Sequence, residues 1–352
     1  MVQAVFVGKA EVVAEQRRAS GARRFQHRAE VCEHTTARDF GDQKVATRSG
    51  GLASLRDGFG TSSGGYASSL AVRKDSTKVV NTKVSVFADL QGVRAMSHSG
   101  RLTGKRALVT GGGRGIGAAI ARRLASEGAR VAVNYVRDAA SAEALIRELG
   151  GGDRALAVQG DVSDAAQTAD LVAQVVAAFG GLDLLASNAG VEHFGPLESI
   201  TPVDVDRVFH VNVAGQLFAT QAAVAAMTQG GRILLTSSIS ARIAVYQHTL
   251  YAASKAAVSA MVLNLAPELA ERGIGINAIA PGGTNTDMAA KHAASYTPPV
   301  LRDLAPEVVV KSMNSLGRWA EPAEIASVAA FLLSDDASYI TGATIDAAGG
   351  WM

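Results

Sequence analysis

Apolar residues follow two alternating spacings along most of the chain, from about residue 105 onwards. Residues 106–110 form a short apolar run, as expected of a buried parallel strand. Over residues 118–127 the apolar positions recur at helical spacing, and Gly128 ends that pattern. The succession then repeats. It predicts further strands at 130–135, 154–159, 182–187, 233–237, 274–279 and 344–346, and further helices at 139–149, 166–179, 203–227 and 252–265.

Strands that alternate with helices predict an α/β protein with a doubly wound parallel sheet. We therefore expect a Rossmann fold of about seven strands with helices on both faces. Ligands of such sheets bind at the carboxyl ends of the strands. Each motif described below follows a predicted strand or lies on the next helix, so the motifs should meet at one edge of the sheet.

The first 99 residues differ from the rest. They show no sustained apolar period, and they carry 15 Lys/Arg against 9 Asp/Glu, whereas residues 100–352 carry 19 and 23. We expect a disordered or loosely packed N-terminal extension at 1–99 and one folded domain at 100–352. A basic arm that binds nucleic acid is one alternative, and translation from Met96 is another.

Composition narrows the function classes. The chain is 48% hydrophobic and 19% charged, so it can bury a sizeable core. Its single cysteine, Cys32, excludes a disulfide framework and a thiolate zinc cluster. The sequence has no apolar stretch of membrane-spanning length and no His/Asp/Glu spacing typical of a metal site. We expect a cytoplasmic protein with no metal, no nucleic-acid partner and no membrane partner.

A glycine-rich turn lies between the first strand and the first helix. It reads Gly111-Gly112-Gly113-Arg114-Gly115-Ile116-Gly117. Glycines let the backbone approach a pyrophosphate, and the N-terminus of the helix stabilises its charge. The turn predicts a dinucleotide site, and a purely structural turn is the alternative.

The end of the second strand predicts which dinucleotide is bound. An acid at this position bonds the ribose hydroxyls of NAD and would repel a 2′-phosphate. Here Asn134 and Tyr135 precede Val136 and Arg137, and no acid comes before Asp138. Asn134 and Tyr135 can donate to phosphate oxygens, and Arg114 is the main candidate for a charged contact. We expect NADP(H) to be preferred and NAD(H) to be the alternative cofactor. An arginine that points to solvent is the competing interpretation.

Tyr251 and Lys255 open the helix after the fifth strand, which is followed by Ser238. A spacing of four places the phenol and the ammonium on one helical face. A nearby cation favours the phenolate and lowers the pKa of the tyrosine. The Ser238 hydroxyl at the end of the strand can hold a substrate oxygen in front of the Tyr251 phenol. The arrangement predicts proton transfer to a carbonyl or from an alcohol, and the competing interpretation is a helix start with an exposed lysine.

Together these motifs resemble the short-chain dehydrogenase/reductase family in its simple one-domain form. The resemblance covers about residues 100–352 and rests on Thr110-Gly111-x-x-x-Gly115-Ile116-Gly117, Asp161-Val162, Asn188-Ala189-Gly190, Asn212, Ser238, Tyr251-x-x-x-Lys255 and Pro281-Gly282. Residues 280–288 and the ending Gly349-Gly350-Trp351-Met352 resemble the hydroxynaphthalene reductase group, which reduces polyketide-derived aromatic ketones. Ala289 departs from that group, because an aromatic residue is expected there.

The resemblance implies a role for each catalytic residue. Tyr251 is the general acid in reduction and the base in oxidation, and Lys255 lowers its pKa and bonds the nicotinamide ribose. Ser238 orients the substrate carbonyl, and Asn212 holds a water that links Lys255 to solvent.

The resemblance also implies how the cofactor is held. Asn188 and Gly190 flank the adenosine ribose, Asp161 and Val162 contact the adenine, and Thr286 with the backbone near Pro281 holds the carboxamide. The complete predicted cofactor set is Gly111, Arg114, Gly115, Ile116, Gly117, Asn134, Tyr135, Asp161, Val162, Asn188, Ala189, Gly190, Tyr251, Lys255, Pro281, Gly282, Thr284 and Thr286.

The resemblance implies an NADP(H)-dependent oxidoreductase that acts on a carbonyl or secondary alcohol, most often as a homotetramer. A 3-oxoacyl-thioester reductase is the near alternative to an aromatic ketone reductase. A dinucleotide sensor without activity should lack part of the catalytic set, and an extended epimerase or dehydratase needs a longer core.

Three polar residues and one segment have no assigned role. Glu192 is unassigned, and we expect His193 and His248 to be solvated loop residues, with the substrate mouth as the alternative. Residues 289–315 are the least regular part of the domain, and a substrate lid would lie there.

Overall fold

The computed structural model describes residues 100–351, apart from the side chains of residues 228, 229, 306 and 307. The predictions for residues 1–99 lie outside this range. Within it, seven strands form one parallel sheet in the order β3-β2-β1-β4-β5-β6-β7. The strands are β1 (Arg106–Thr110), β2 (Arg130–Tyr135), β3 (Ala155–Gln159), β4 (Leu182–Ser187), β5 (Met227–Thr236), β6 (Gly275–Pro281) and β7 (Thr344–Ala347). The predicted fold class is confirmed.

Helices cover both faces of the sheet. They are α1 (Gly115–Ser126), α2 (Ala139–Glu148), α3 (Ala165–Phe179), α4 (Pro202–Phe209), α5 (Gly215–Ala226), α6 (Thr249–Ala270), α7 (Asp287–Tyr296), α8 (Pro306–Met313) and α9 (Pro322–Leu332). One buried apolar cluster joins α1, α2 and α9 to the sheet, and a second joins α3, α5 and α6 to it. Because both faces are covered, the central strands are apolar throughout rather than alternating.

The strand order reverses between β1 and β4, and this reversal positions the site. Thr110 pairs with Ser187, so the glycine turn after β1 lies beside the Asn188-Ala189-Gly190 turn after β4. Crevices of this kind are where doubly wound sheets bind their ligands.

Two details of the secondary structure differ from the prediction. The long helical region predicted at 203–227 is helical from Pro202 to Ala226, but it contains a π-helical turn at His210–Ala214 between α4 and α5, and Met227 already belongs to β5. Helix α9 was not predicted, although a capping box between Glu321 and Glu324 marks its start and Pro322 is its first residue.

The irregular segment after β6 contains α7, a 3₁₀ turn at Pro299–Leu301, and α8. Thr286 begins α7 by accepting a hydrogen bond from Ala289 N at 3.2 Å. We call α7 the lid helix, because seven of its residues line the cavity described next. Among residues 100–351, no helix combines the length and the apolar character needed to cross a membrane.

Candidate active site

A cavity of about 1380 Å³ opens at the carboxyl ends of the strands. It is lined by the turns that follow β1, β2, β3, β4, β5 and β6, and by the lid helix. Of the predicted site residues, Gly117 and Asn212 do not line it, and all the others do. The structure therefore brings the separate motifs of the sequence to one place.

The glycine turn has the shape of a phosphate cradle. Gly115 has a φ of +55°, which side chains rarely adopt. A Cβ atom at Gly117 would overlap the Gly111 carbonyl oxygen and lie 2.7 Å from Asn188 Nδ2. Helix α1 has no acid in its first turn and no side-chain cap from Arg114. Its first N–H groups can therefore bind an anion, and the turn fits a pyrophosphate.

Asn134 holds this turn in place. It is fully buried, and its Oδ1 accepts a hydrogen bond from Gly111 N at 3.2 Å. Its Nδ2 donates to the carbonyl oxygens of Gly160 at 2.8 Å and Tyr135 at 3.3 Å. Both amide protons are thus used by the main chain, and the side chain joins β2 to the turns after β1 and β3. Because the Asn134 amide has no free proton, a cofactor phosphate would have to bind to other residues at the cavity mouth.

Those other residues are Arg114 and Arg137, which are exposed, and Tyr135, which is half-buried. Asp138 is the first acid after β2, and it caps α2 by accepting from Ser141 N at 3.1 Å. Its pKa is lowered first by the hydrogen bonds with Ser141 and further by the charge of Arg114. The positive charge of Arg114 therefore reaches the residues that follow β2, where it acts on Asp138.

The turns after β3 and β4 are held by their own polar side chains. Asp161 Oδ1 accepts hydrogen bonds from Ser163 N and Oγ at 3.0 and 2.7 Å. Asn188 N donates to Thr110 Oγ1 at 3.0 Å, and Asn188 Nδ2 donates to the Gly111 carbonyl oxygen at 3.2 Å. These bonds fix the rim of the cavity, whereas the predicted contacts of Asp161, Val162 and Asn188 with a cofactor stay predictions.

Tyr251 and Lys255 lie in the first two turns of α6, as their spacing predicts. Lys255 is 2% exposed and its Nζ donates to the Thr236 carbonyl oxygen at 2.8 Å. The same Nζ lies 5.5 Å from the centre of the Tyr251 ring. Ser238 hydrogen-bonds to the Tyr251 side chain, and its Oγ accepts from Ser240 N at 3.1 Å. The hydroxyl, phenol and ammonium therefore form one group, in which Ser238 and Lys255 are buried and Tyr251 is half-buried.

Asn212 lies in the π-helical turn and is fully buried. Its Oδ1 accepts from Val191 N at 2.8 Å, and its Nδ2 donates to Val191 O at 2.9 Å and to Ser254 Oγ at 3.0 Å. The side chain joins the loop after β4 to α6. The Asn212 side chain thus braces the site, and its predicted link to water stays a prediction.

The pKa values of the central pair differ from the simple expectation. Burial raises the pKa of Tyr251 well above its ordinary range, the charge of Glu192 raises it further, and the Ser238 hydrogen bond acts in the opposite direction. Burial lowers the pKa of Lys255 to about 8, although the charge of Glu192 opposes this. We predicted that Lys255 would lower the pKa of Tyr251, whereas in this geometry burial and the charge of Glu192 raise it.

Sequence reasoning missed a buried cluster beside Tyr251, which contains Glu192, His248 and Tyr296. Both histidines that we expected to be solvated are buried: His248 is 1% exposed and His193 is 9% exposed. His248 bonds to the Glu192 carboxylate, and His193 lies 3.8 Å from that of Asp204. The solvated-loop prediction is wrong because these contacts link residues far apart in sequence. A local signal existed, since His248 precedes Tyr251 by three residues and so shares its helical face.

Within residues 100–351, no group of three or more His, Cys, Asp or Glu side chains is arranged to hold a metal ion. A parallel sheet with a glycine cradle at its point of strand reversal, and a Ser–Tyr–Lys group beside it, is the arrangement of a dinucleotide-binding protein.

Comparison with known proteins agrees with this class. The family model described as enoyl-(acyl carrier protein) reductase matches residues 111–352. Versicolorin reductase 1 of Aspergillus parasiticus is 42% identical over 259 residues, covering 72% of this chain and 99% of that protein. A probable tetrahydroxynaphthalene reductase of Zymoseptoria tritici is 41% identical over 249 residues, covering 70% and 93%.

A crystal structure gives the same result. A short-chain dehydrogenase from Burkholderia cenocepacia, in complex with NADP, superposes with a TM-score of 0.64 at 39% identity, covering 71% of this chain and 98% of that one. The chain belongs to the short-chain dehydrogenase/reductase family.

Proposed function

We propose that this protein is an NADP(H)-dependent reductase of carbonyl compounds in which Tyr251 donates the proton. The observation that carries the proposal is the group of Ser238, Tyr251 and Lys255, which lines the same cavity as the glycine cradle. The structure of the relative from Burkholderia cenocepacia contains NADP, which supports the choice of cofactor. A dinucleotide sensor without activity is disfavoured, because the complete catalytic set is present.

The residues that would hold the cofactor lie along the cavity. The cradle of Gly111, Gly115 and the first turn of α1 suits the pyrophosphate, and Arg114 suits a 2′-phosphate. Thr286, at the start of the lid helix, borders the cradle, because a Cβ atom at Gly115 would lie 3.4 Å from its methyl carbon. Pro281 and Gly282 also line the cavity. The bound nicotinamide supplies the hydride.

The chain itself supplies orientation and the proton. Ser238 donates a hydrogen bond to the substrate carbonyl oxygen and places it before Tyr251. The raised pKa of Tyr251 keeps the phenol protonated, so it can donate the proton as that oxygen gains negative charge. Lys255 remains charged below about pH 8 and stabilises the phenolate that is left.

Within this activity we propose an aromatic ketone as the substrate class. The named relatives are a versicolorin reductase and a probable tetrahydroxynaphthalene reductase, and both names denote aromatic polyketide substrates. The substrate end of the cavity is lined by apolar and aromatic side chains, which suit a flat ring system. Examples are Val245, Met288, Met313 and Trp319. Ala289 lacks the expected aromatic ring, but Tyr296 lies two helical turns later on the same face of the lid helix.

The catalytic role is tested by Tyr251→Phe, which removes the proton donor and keeps the ring. We expect NADPH-dependent reduction of 2-tetralone to fall about 10²–10⁴-fold, with NADPH binding retained in a fluorescence titration. Tyr246→Phe is the matched control, because that ring is half-exposed and lies outside the cavity lining. Near-normal turnover by Tyr251→Phe would refute the proposed mechanism.

The substrate class is tested separately, by comparing kcat/KM for 2-tetralone with that for acetoacetyl-CoA. A higher value for the bicyclic ketone supports an aromatic ketone reductase. A higher value for the thioester would instead identify a 3-oxoacyl-thioester reductase, and loss of activity in Tyr251→Phe is expected with either substrate.

A further inference from the structure

Beside the proton donor lies the buried cluster of Glu192, His248 and Tyr296, which the proposed mechanism does not use. Glu192 follows the turn after β4, His248 immediately precedes α6, and Tyr296 is the last residue of the lid helix. One Glu192 oxygen bonds to His248 Nε2, and the other accepts from the Tyr296 hydroxyl at 2.8 Å. The Glu192 and His248 side chains are 3% and 1% exposed. A carboxylate this deeply buried is stable because both of its oxygens are hydrogen-bonded.

His248 links Glu192 to Tyr251 by contacting both side chains. The imidazole stacks on the Tyr251 ring at a centroid distance of 4.6 Å and an interplanar angle of 17°. On its other side it stacks on Phe194 at 4.1 Å and 10°. The ring of His248 is thus sandwiched between two rings and anchored at one edge by Glu192. Displacement of that anchor would move the surface on which Tyr251 rests.

Tyr296 links Glu192 to the lid helix, of which it is the last residue. Its ring packs edge-on against Phe194 at 4.9 Å and against Trp319 at 6.3 Å. The hydroxyl bond to Glu192 is the polar contact that completes this packing. The same carboxylate therefore contacts both the support of the proton donor and the end of the lid.

His248 is held at one edge of its ring and on both faces. Its Nε2 bonds to Glu192, and its faces stack on Tyr251 and Phe194. Its Nδ1 has no hydrogen-bond partner among the described residues, so Glu192 provides the polar contact that sets the orientation of the ring.

We propose that Glu192 is a positioning residue for proton transfer, which fixes the Tyr251 ring through His248 and holds the lid helix over the substrate cavity through Tyr296. The proposal rests on the proposed function, because it requires Tyr251 to be the proton donor. It goes beyond the Ser–Tyr–Lys–Asn set, since Glu192 acts through other residues.

The charge of Glu192 gives the proposal a readout that a merely structural role would not move. The ionisable groups around Tyr251 come from the β4 loop, from α6 and its first neighbour, and from the lid helix; they are Glu192, His248, Lys255 and Tyr296, with His292 stacked on Phe194 beyond them. The Glu192 carboxylate raises the pKa of both Tyr251 and Lys255. Removing its charge should therefore lower both pKa values, and the alkaline limb of the pH–rate profile, which follows Lys255, should move to lower pH.

The first test is Glu192→Gln, which keeps the shape and removes the charge. In the full chain we expect the alkaline limb of kcat/KM for 2-tetralone reduction to move to lower pH by about one unit. Glu198→Gln is the matched control, because Glu198 is exposed in the same loop. A uniform loss of rate with the alkaline limb in place would overturn the positioning role.

The second test is Tyr296→Phe, which removes only the bond to the lid. We expect KM for 2-tetralone to rise about fivefold, while the alkaline limb of the pH–rate profile stays in place. Tyr339→Phe is the control, since its ring is fully exposed. An unchanged KM would refute the role of the bond between Glu192 and Tyr296 in holding the lid helix. If Glu192→Gln does not fold, this KM measurement decides the proposal.

The failure of this proposal can be told apart from that of the proposed function. If Tyr251→Phe is inactive while Glu192→Gln and Tyr296→Phe behave like wild type, Glu192 has no positioning role and the function stands. If Tyr251→Phe retains activity, the proposed function itself fails.

Discussion

Arg114 is the residue on which we expect the preference for NADPH over NADH to depend. It is exposed at the start of α1 beside the cavity, and its charge reaches the end of β2, where it acts on Asp138. A charged hydrogen bond between a guanidinium and a phosphate contributes about 1.5–3 kcal/mol. Because Arg114 is solvent-screened, we use the lower value, which corresponds to roughly a tenfold change in affinity.

Arg114→Ala should therefore raise KM for NADPH about tenfold and leave KM for NADH within about twofold. The assay is steady-state reduction of 2-tetralone with each cofactor, at low and at high salt. Salt should reduce the difference between wild type and variant, since it screens an exposed ionic contact. Arg147→Ala is the control, because Arg147 is exposed on α2 and does not line the cavity. Equal use of both cofactors by wild type, or an equal effect of the substitution on both, would refute this reasoning.

Three further predictions concern pH, the cradle and assembly. The kcat/KM for reduction should fall as pH rises through about 8, where Lys255 loses its charge, while the raised pKa keeps Tyr251 protonated; a flat profile to pH 9 would contradict this. Gly117→Ala should lower Tm and abolish NADPH binding because the methyl overlaps the Gly111 carbonyl oxygen, whereas Gly113→Ala, whose nearest contact is 3.6 Å, should keep Tm nearly unchanged. Exposed apolar side chains on α4, α5 and α6 suit subunit contacts, so sedimentation velocity should show a homotetramer, and a monomer alone would exclude it.

The strands could be predicted from the sequence because parallel strands covered on both faces are short continuous apolar runs. The position of the motifs followed from the same pattern, since every turn after a strand reaches one edge of the sheet. Tyr251 and Lys255 were predictable for a local reason: four residues on a helix bring side chains together.

What the sequence did not reveal depends on contacts between distant segments. The π-helical turn interrupts a run of residues with uniform helical spacing, and the bonds from Asn212 to Val191 and Ser254 brace it there. Burial of His248 likewise depends on Glu192, 56 residues earlier. The raised pKa of Tyr251 also depends on distant segments, because it comes from burial and from the carboxylate of Glu192.

Asn134 illustrates how the molecule divides two tasks at the cofactor site. Its side-chain amide hydrogen-bonds to the main chain of the turns after β1 and β3, at Gly111 and Gly160, whereas Arg114 and Arg137 lie at the surface. The residue that shapes the cradle is therefore separate from the residues that we propose to select the phosphate. We expect surface substitutions to be able to exchange one cofactor for the other over evolution without loss of folding stability, and replacement of Asn134 to damage the cradle for both.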